Sequence, residues 1–134
     1  MTSLATIEGI GPMYAKAMAK SGIKTTERLL KECGSKAGRK AAAKESGCTE
    51  KQILGWVNRA DLMRVKGVGE EYSDLLELAG VDTVKELRTR NVDYLHEKML
   101  EVNAKKKAVR RPPSLPEVKR WVAHAKKLKP AVTY

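Results

Sequence analysis

Phenylalanine is absent from this 134-residue chain, and two tryptophans and four tyrosines are its only aromatic side chains. Leu, Val, Ile, Met and Ala must therefore build the core, and few rings remain to stack on unpaired bases. Cysteine is scarce as well. Cys33 and Cys48 stand fifteen residues apart, with no second pair and no histidine close by, which is neither zinc-ligand spacing nor a disulfide framework. Reduced thiols in a cytosolic chain are the expectation. Long apolar runs are missing too: no stretch approaches the ~20 residues that cross a bilayer, and the N-terminus has no hydrophobic signal core. A cytoplasmic protein with no membrane partner is expected.

Catalytic patterns are equally scarce. His96 and His124 have no metal-ligand or acid–base company at local spacing and read as surface residues. The carboxylates gather in the middle of the chain without the spaced aspartates of a two-metal site. The reading is therefore of a protein that is not an enzyme, with no catalytic residue, metal, cofactor or small-molecule substrate.

What the chain does have is positive charge, +11 in all, unevenly placed. Residues 1–60 carry +6, residues 61–103 carry −4, and residues 104–134 carry +9, with Glu117 the lone acid of that last stretch. Basic ends around an acidic middle suggest an oriented contact with a polyanion.

The chain also has a repeat. Ile7-Glu8-Gly9-Ile10-Gly11 through Thr25 and Leu29 corresponds to Val65-Lys66-Gly67-Val68-Gly69 through Thr83 and Leu87 at a constant offset of fifty-eight. Gly9/Gly67, Gly11/Gly69, Tyr14/Tyr72, Gly22/Gly80, Thr25/Thr83 and Leu29/Leu87 are identical pairs. Further on, Trp121-Val122 corresponds to Trp56-Val57 at offset sixty-five, so seven residues are inserted in the second copy, near Asn103–Val109.

Start and stop signals cut each copy into short helices. Ser3 is placed to cap a first short helix, and Pro12 favours a restart after the Gly9-Ile10-Gly11 turn. Gly22 stops that helix, Thr25 caps the next, and a fourth is expected from Lys36 to Ser46 before Gly47. Thr49 with Gln52 forms a capping box for a fifth, with Ile53, Trp56, Val57 and Ala60 on one face. In the second copy Asp61 takes the place of Ser3, Thr83 with Glu86 forms a box, and Asn91 caps a long helix. Ser114 with Glu117 opens the last helix, which carries Val118, Trp121, Val122, Ala125 and Leu128 at helical spacing. Tyr14 and Tyr72 fall on the core phase of their helices. An all-α fold is expected, with two five-helix units, residues 1–60 and 61–134, packed into one compact globule; the second unit carries a basic insertion at 103–111.

The pattern hydrophobic-x-Gly-x-Gly followed by a helix, in Ile7–Met18 and again in Val65–Leu76, resembles the helix-hairpin-helix motif. The whole chain resembles the uncharacterised domain-of-unknown-function family 4332. That likeness rests on Ile7–Pro12, Trp56–Leu62, Gly67–Gly69 with Leu75-Leu76, Ala79–Thr83 and Val109–Ser114. It implies a SAM-like, tandem helix-hairpin-helix fold but no assigned activity. Helix-hairpin-helix proteins in general bind duplex DNA without sequence specificity, through backbone amides that donate to phosphate oxygens. Some hold a monovalent cation on hairpin carbonyls, and others serve as protein docking modules.

Bare amides at the start of a helix attract anions, and glycine lets the backbone approach a phosphate closely. The copies differ at this point. Pro12, Met13, Lys16, Lys20 and Lys24 of the first correspond to Glu70, Glu71, Asp74, Leu78 and Asp82 of the second. Carboxylates there satisfy the helix dipole and repel a phosphate. The first hairpin is thus expected to lead, through Gly9, Ile10, Gly11, Met13, Lys16 and Lys20. Lys66, Gly67 and Gly69 keep the second hairpin in play, and Lys105, Lys106, Lys107, Arg110 and Arg111 form a further phosphate-binding cluster. Sequence-independent binding of double-stranded DNA is the leading expectation. A protein–protein adaptor is the alternative, with the acidic second hairpin seeking a basic partner.

Overall fold

The computed structural model describes residues 3–7 and 9–134. Among them every element is helical, apart from an isolated β-bridge between Ser3 and Thr25. A short 3-10 turn at Leu4–Thr6 precedes α1 (Gly11–Ala19), α2 (Thr26–Cys33), α3 (Lys36–Ser46), α4 (Glu50–Leu62), α5 (Glu70–Leu78), α6 (Val84–Leu87), α7 (Val92–Lys106) and α8 (Leu115–Ala125). None of these helices is long and apolar enough to cross a membrane.

The chain divides into two units, Met1–Asp61 with Ala131–Tyr134, and Leu62–Pro130. In the first, α3 packs against α2 and α1, and Leu4, Ile7, Ile10, Met18, Leu29, Ile53 and Val57 are fully buried. The thiols of Cys33 and Cys48 are free and buried. Burial pushes the Cys33 thiol up to about 11, Glu32 adds to the rise, and Arg39 opposes it. Arg39 is itself buried and donates to the carbonyls of Cys33, Gly34 and Thr133. The Thr133 amide returns a bond to the Gly34 carbonyl at 2.8 Å. The segment 131–134 is thereby stitched to the α2–α3 corner of this unit.

In the second unit α7 packs against α5 and α8, and α8 against α6. Leu62, Leu75, Leu76, Leu87, Met99, Val118, Trp121 and Ala125 share its core.

The repeat in sequence is a repeat in hydrogen bonding. Ile7 N–H donates to the Leu4 carbonyl, as Val65 N–H does to Leu62, and Ile23 N–H to Met18, as Val81 N–H does to Leu76. Thr25 Oγ1 accepts from Arg28 N–H at 3.1 Å, and Thr83 Oγ1 from Glu86 N–H at 3.4 Å. Tyr14 lies half-buried with its ring 5.4 Å from that of Trp56, and Tyr72 likewise 5.0 Å from Trp121.

One expectation changes. Asp61 opens no helix of its own: nothing among Arg59–Leu62 breaks the backbone, so α4 runs on to Leu62 with Asp61 buried inside it. The inserted stretch is half helical, because α7 continues to Lys106 and ends at Lys107 in the left-handed region, φ +51°. Both histidines are half-buried, with His96 Nε2 3.0 Å from the Pro113 carbonyl and His124 Nδ1 accepting from Lys66 N–H at 3.0 Å.

Candidate nucleic-acid interface

Each Gly-x-Gly turn hangs from two apolar anchors. Ile7 and Ile10 are buried in the first unit, and Val65 and Val68 in the second. The amides of Ile10 and Val68 donate back to the carbonyls of Ile7 and Val65, at 3.2 and 3.0 Å. With the anchors inward, Gly9, Gly11, Gly67 and Gly69 are left on the outside. Gly9 and Gly67 have φ of +86° and +92°, a region that a side chain makes costly. A second constraint is spatial: a Cβ on Gly67 would stand 3.0 Å from Trp121 Nε1, and one on Gly9 3.2 Å from Arg59 Nη1.

Helix capping separates the two turns from the rest of the protein. Ser3, Thr25, Ser35, Thr49, Thr83, Asn91 and Ser114 each place a side-chain oxygen on an amide of the element they open. Among the described residues α1 and α5, the helices that follow the two Gly-x-Gly turns, have no side-chain cap hydrogen bond. Pro12 has no N–H, so in the first turn of α1 the amides of Gly11 and Met13 have no partner within the helix. The partial positive charge of the helix start is concentrated there. Exposed Glu70 and Glu71 stand in the first turn of α5.

The remaining residues of the first site are exposed. Met13 has 73% of its surface open, and Lys16 and Lys20 both face solvent. Lys20 is the C-terminal cap of α1. At a rise of ~1.5 Å per residue it stands roughly 13 Å along the axis from Gly11. Lys16, at roughly half that distance, lies closer to the loop amides than Lys20 does.

The inserted cluster, made of the end of α7 and the segment after it, is held by side-chain bonds. Asn103 Oδ1 accepts from Val109 N–H at 2.9 Å, and Asn103 Nδ2 donates to the Val109 carbonyl at 3.1 Å. Tyr72 Oη donates to the Arg111 carbonyl at 3.0 Å. Lys105, Lys106, Lys107 and Arg110 are exposed, with Lys105 3.8 Å from Glu101. Arg111 is engaged: its guanidinium donates twice to Glu117, at 3.0 and 3.1 Å. That bond, followed by the Ser114 amide, holds the Glu117 carboxyl down at about 2, and it raises the Arg111 pKa in turn.

Sequence reasoning missed the surroundings of the second turn. Lys66 and Gly67 line an open groove of about 490 Å³ with Arg120, Trp121 and His124 of α8 and Lys127 of the turn after it. The acidic middle of the chain and its basic end thus meet in one unit. A signal existed. At offset sixty-five, which aligns the tryptophans, His124 corresponds to Arg59, and each of these residues lies against its own turn.

The profile of a family described as a domain of unknown function (DUF4332) matches residues 8–128. The chain belongs to that family. No curated protein and no solved structure matches it.

Proposed function

We propose that this protein binds duplex nucleic acid through its phosphates, without reading bases and without catalysing a reaction, and that its two Gly-x-Gly turns are helix-hairpin-helix motifs. The observation that carries the reading is the capping pattern. Seven elements are closed by their own Ser, Thr or Asn, while the two that follow the Gly-x-Gly turns have no side-chain cap among the described residues. An acceptor from outside, such as a phosphate oxygen, satisfies such amides. Gly11, Met13 and Lys16 serve the first contact. Lys20 serves a neighbouring phosphate. Lys66 supplies charge at the second turn, where Glu70 and Glu71 alone would repel.

Affinity for a thirty-base-pair duplex should fall with salt at a log–log slope of roughly −3 to −6, near −0.9 for each phosphate contacted. A gel shift at increasing salt, with duplex, single-strand and RNA probes, measures it. Lys16→Glu with Lys20→Glu should weaken binding more than Lys85→Glu with Lys98→Glu. Salt-insensitive binding, or none at ~50 mM salt, sinks the proposal. The exposed Glu70 and Glu71 favour a second reading, a docking module for a basic protein. A stoichiometric partner that survives nuclease treatment in a pull-down would favour that reading over the first.

A further inference from the structure

We infer that the groove beside the second turn is a separate site for a phosphomonoester, the terminal phosphate of a nucleic-acid strand. This rests on the nucleic-acid reading above and adds to it a class of ligand, a strand end. Three permanent cations line the groove, Lys66 from the Gly-x-Gly turn, Arg120 from α8 and Lys127 from the turn that follows α8. Arg120 and His124 stand four apart on one face of α8, and Lys127 follows in the turn after it, its N–H donating to the His124 carbonyl at 2.9 Å. The only carboxylate in the wall, Glu117, is already bridged to Arg111 and bonded by the Ser114 amide. Its charge is therefore largely answered before any ligand arrives.

Charge and shape both select a strand end. A phosphomonoester carries about −1.5 to −2 at neutral pH, against a single charge on an internal diester, so a site with three cations in one concavity is better matched by the former. The groove, at about 490 Å³, is larger than a bare phosphate needs, and Trp121, Gly67 and Ala123 give it an apolar side suited to a sugar or base. A continuing backbone must leave on both sides of each phosphate, which a convex turn accommodates more readily than a concavity.

His124 supplies the directional contact. Its Nδ1 accepts from Lys66 N–H, so the neutral ring carries its proton on Nε2, and that N–H is the remaining donor of a side chain that lines the groove. In the first unit the corresponding residue is Arg59, which lies against Gly9 instead. The two copies have diverged at this position.

The test compares one duplex in two forms, 5′-phosphorylated and 5′-hydroxyl, with the full chain at constant salt. The phosphorylated form should bind more tightly, by up to about fivefold, the upper end of what one added exposed ion pair contributes. Arg120→Gln with Lys127→Gln should abolish that difference. In amide-resolved NMR, adenosine 5′-monophosphate should shift the Lys66 and Gly67 amides and the Trp121 indole, with inorganic phosphate shifting the amides alone. Equal affinity for the two duplexes overturns the inference and leaves the duplex-binding reading standing. Failure of both duplexes to bind overturns that reading and this inference with it.

Discussion

Gly67 meets two demands at once, and they explain why the turn is written with glycine. Its φ of +92° lies in the left-handed region, and the place of a Cβ is 3.0 Å from Trp121 Nε1. Gly67→Ala should therefore cost ~1–2 kcal/mol for the backbone alone, with a further penalty as the indole yields. Thermal melts of the variant should show a clear drop in Tm. Gly69 has φ −107° and open space around its Cα, so Gly69→Ala should leave Tm within a degree or two of the wild type on the usual scale for strain-free changes. Equal losses at the two positions would mean that the Trp121 contact and the positive φ do not matter. The sequence made these glycines easy to find, because they recur in register. It hid their partners: the seven-residue insertion changes the offset from fifty-eight to sixty-five between the turn and the last helix. Arg59 and His124 are then out of phase with the residues they touch.

The elements were legible wherever punctuation was local. Thr25, Thr49, Thr83, Asn91 and Ser114 cap the helices they were expected to cap. A capping oxygen acts within three residues, and short-range chemistry survives without knowledge of the fold. The expected short helix at Asp61 failed for a complementary reason. A capping residue begins a helix only if the preceding one has stopped, and no glycine or proline stands between Thr49 and Asp61 except Gly55, which α4 absorbs. The cap of α8 offers a test of this level. Ser114 and Glu117 form a reciprocal box, and Arg111 clamps the same carboxylate. Glu117 is held at about 2 in the folded chain, below its ordinary 4.5. The charged form is thus favoured by folding, and its contribution is fully present above ~4.5 and lost as pH falls toward ~2. Glu117→Gln should lower Tm at pH 7 and narrow its gap from the wild type as pH falls through this window. A gap that stays constant with pH would show that the carboxylate charge contributes nothing.

At the scale of the whole chain, charge read along the sequence and charge read in the fold differ. The segments of +6, −4 and +9 become a unit of +5, with eleven Lys/Arg and six Asp/Glu, and a unit of +6, with sixteen and ten. The contrast moves inside the second unit, between acidic α5 and the basic stretch from Lys105 to Lys129. The same topology returns residues 131–134 to the first unit, and Arg39 explains why they stay. A guanidinium that is 4% exposed needs acceptors for its donors, and the Thr133 carbonyl is one of three it has, beside those of Cys33 and Gly34. Ala131 also packs its carbonyl against Gly34, leaving no room there for a Cβ. Removing Ala131–Tyr134 should leave part of this charge without a partner and cost the first unit roughly 1–3 kcal/mol. Hydrogen exchange reads the effect by region. Amides of α2 and α3 should exchange faster in the truncated chain, while those of α7 and α8, whose core draws on none of the four residues, should keep their protection. Uniform loss of protection across all helices would contradict a role confined to the Arg39 corner, and no loss anywhere would mean that water replaces Thr133 at negligible cost.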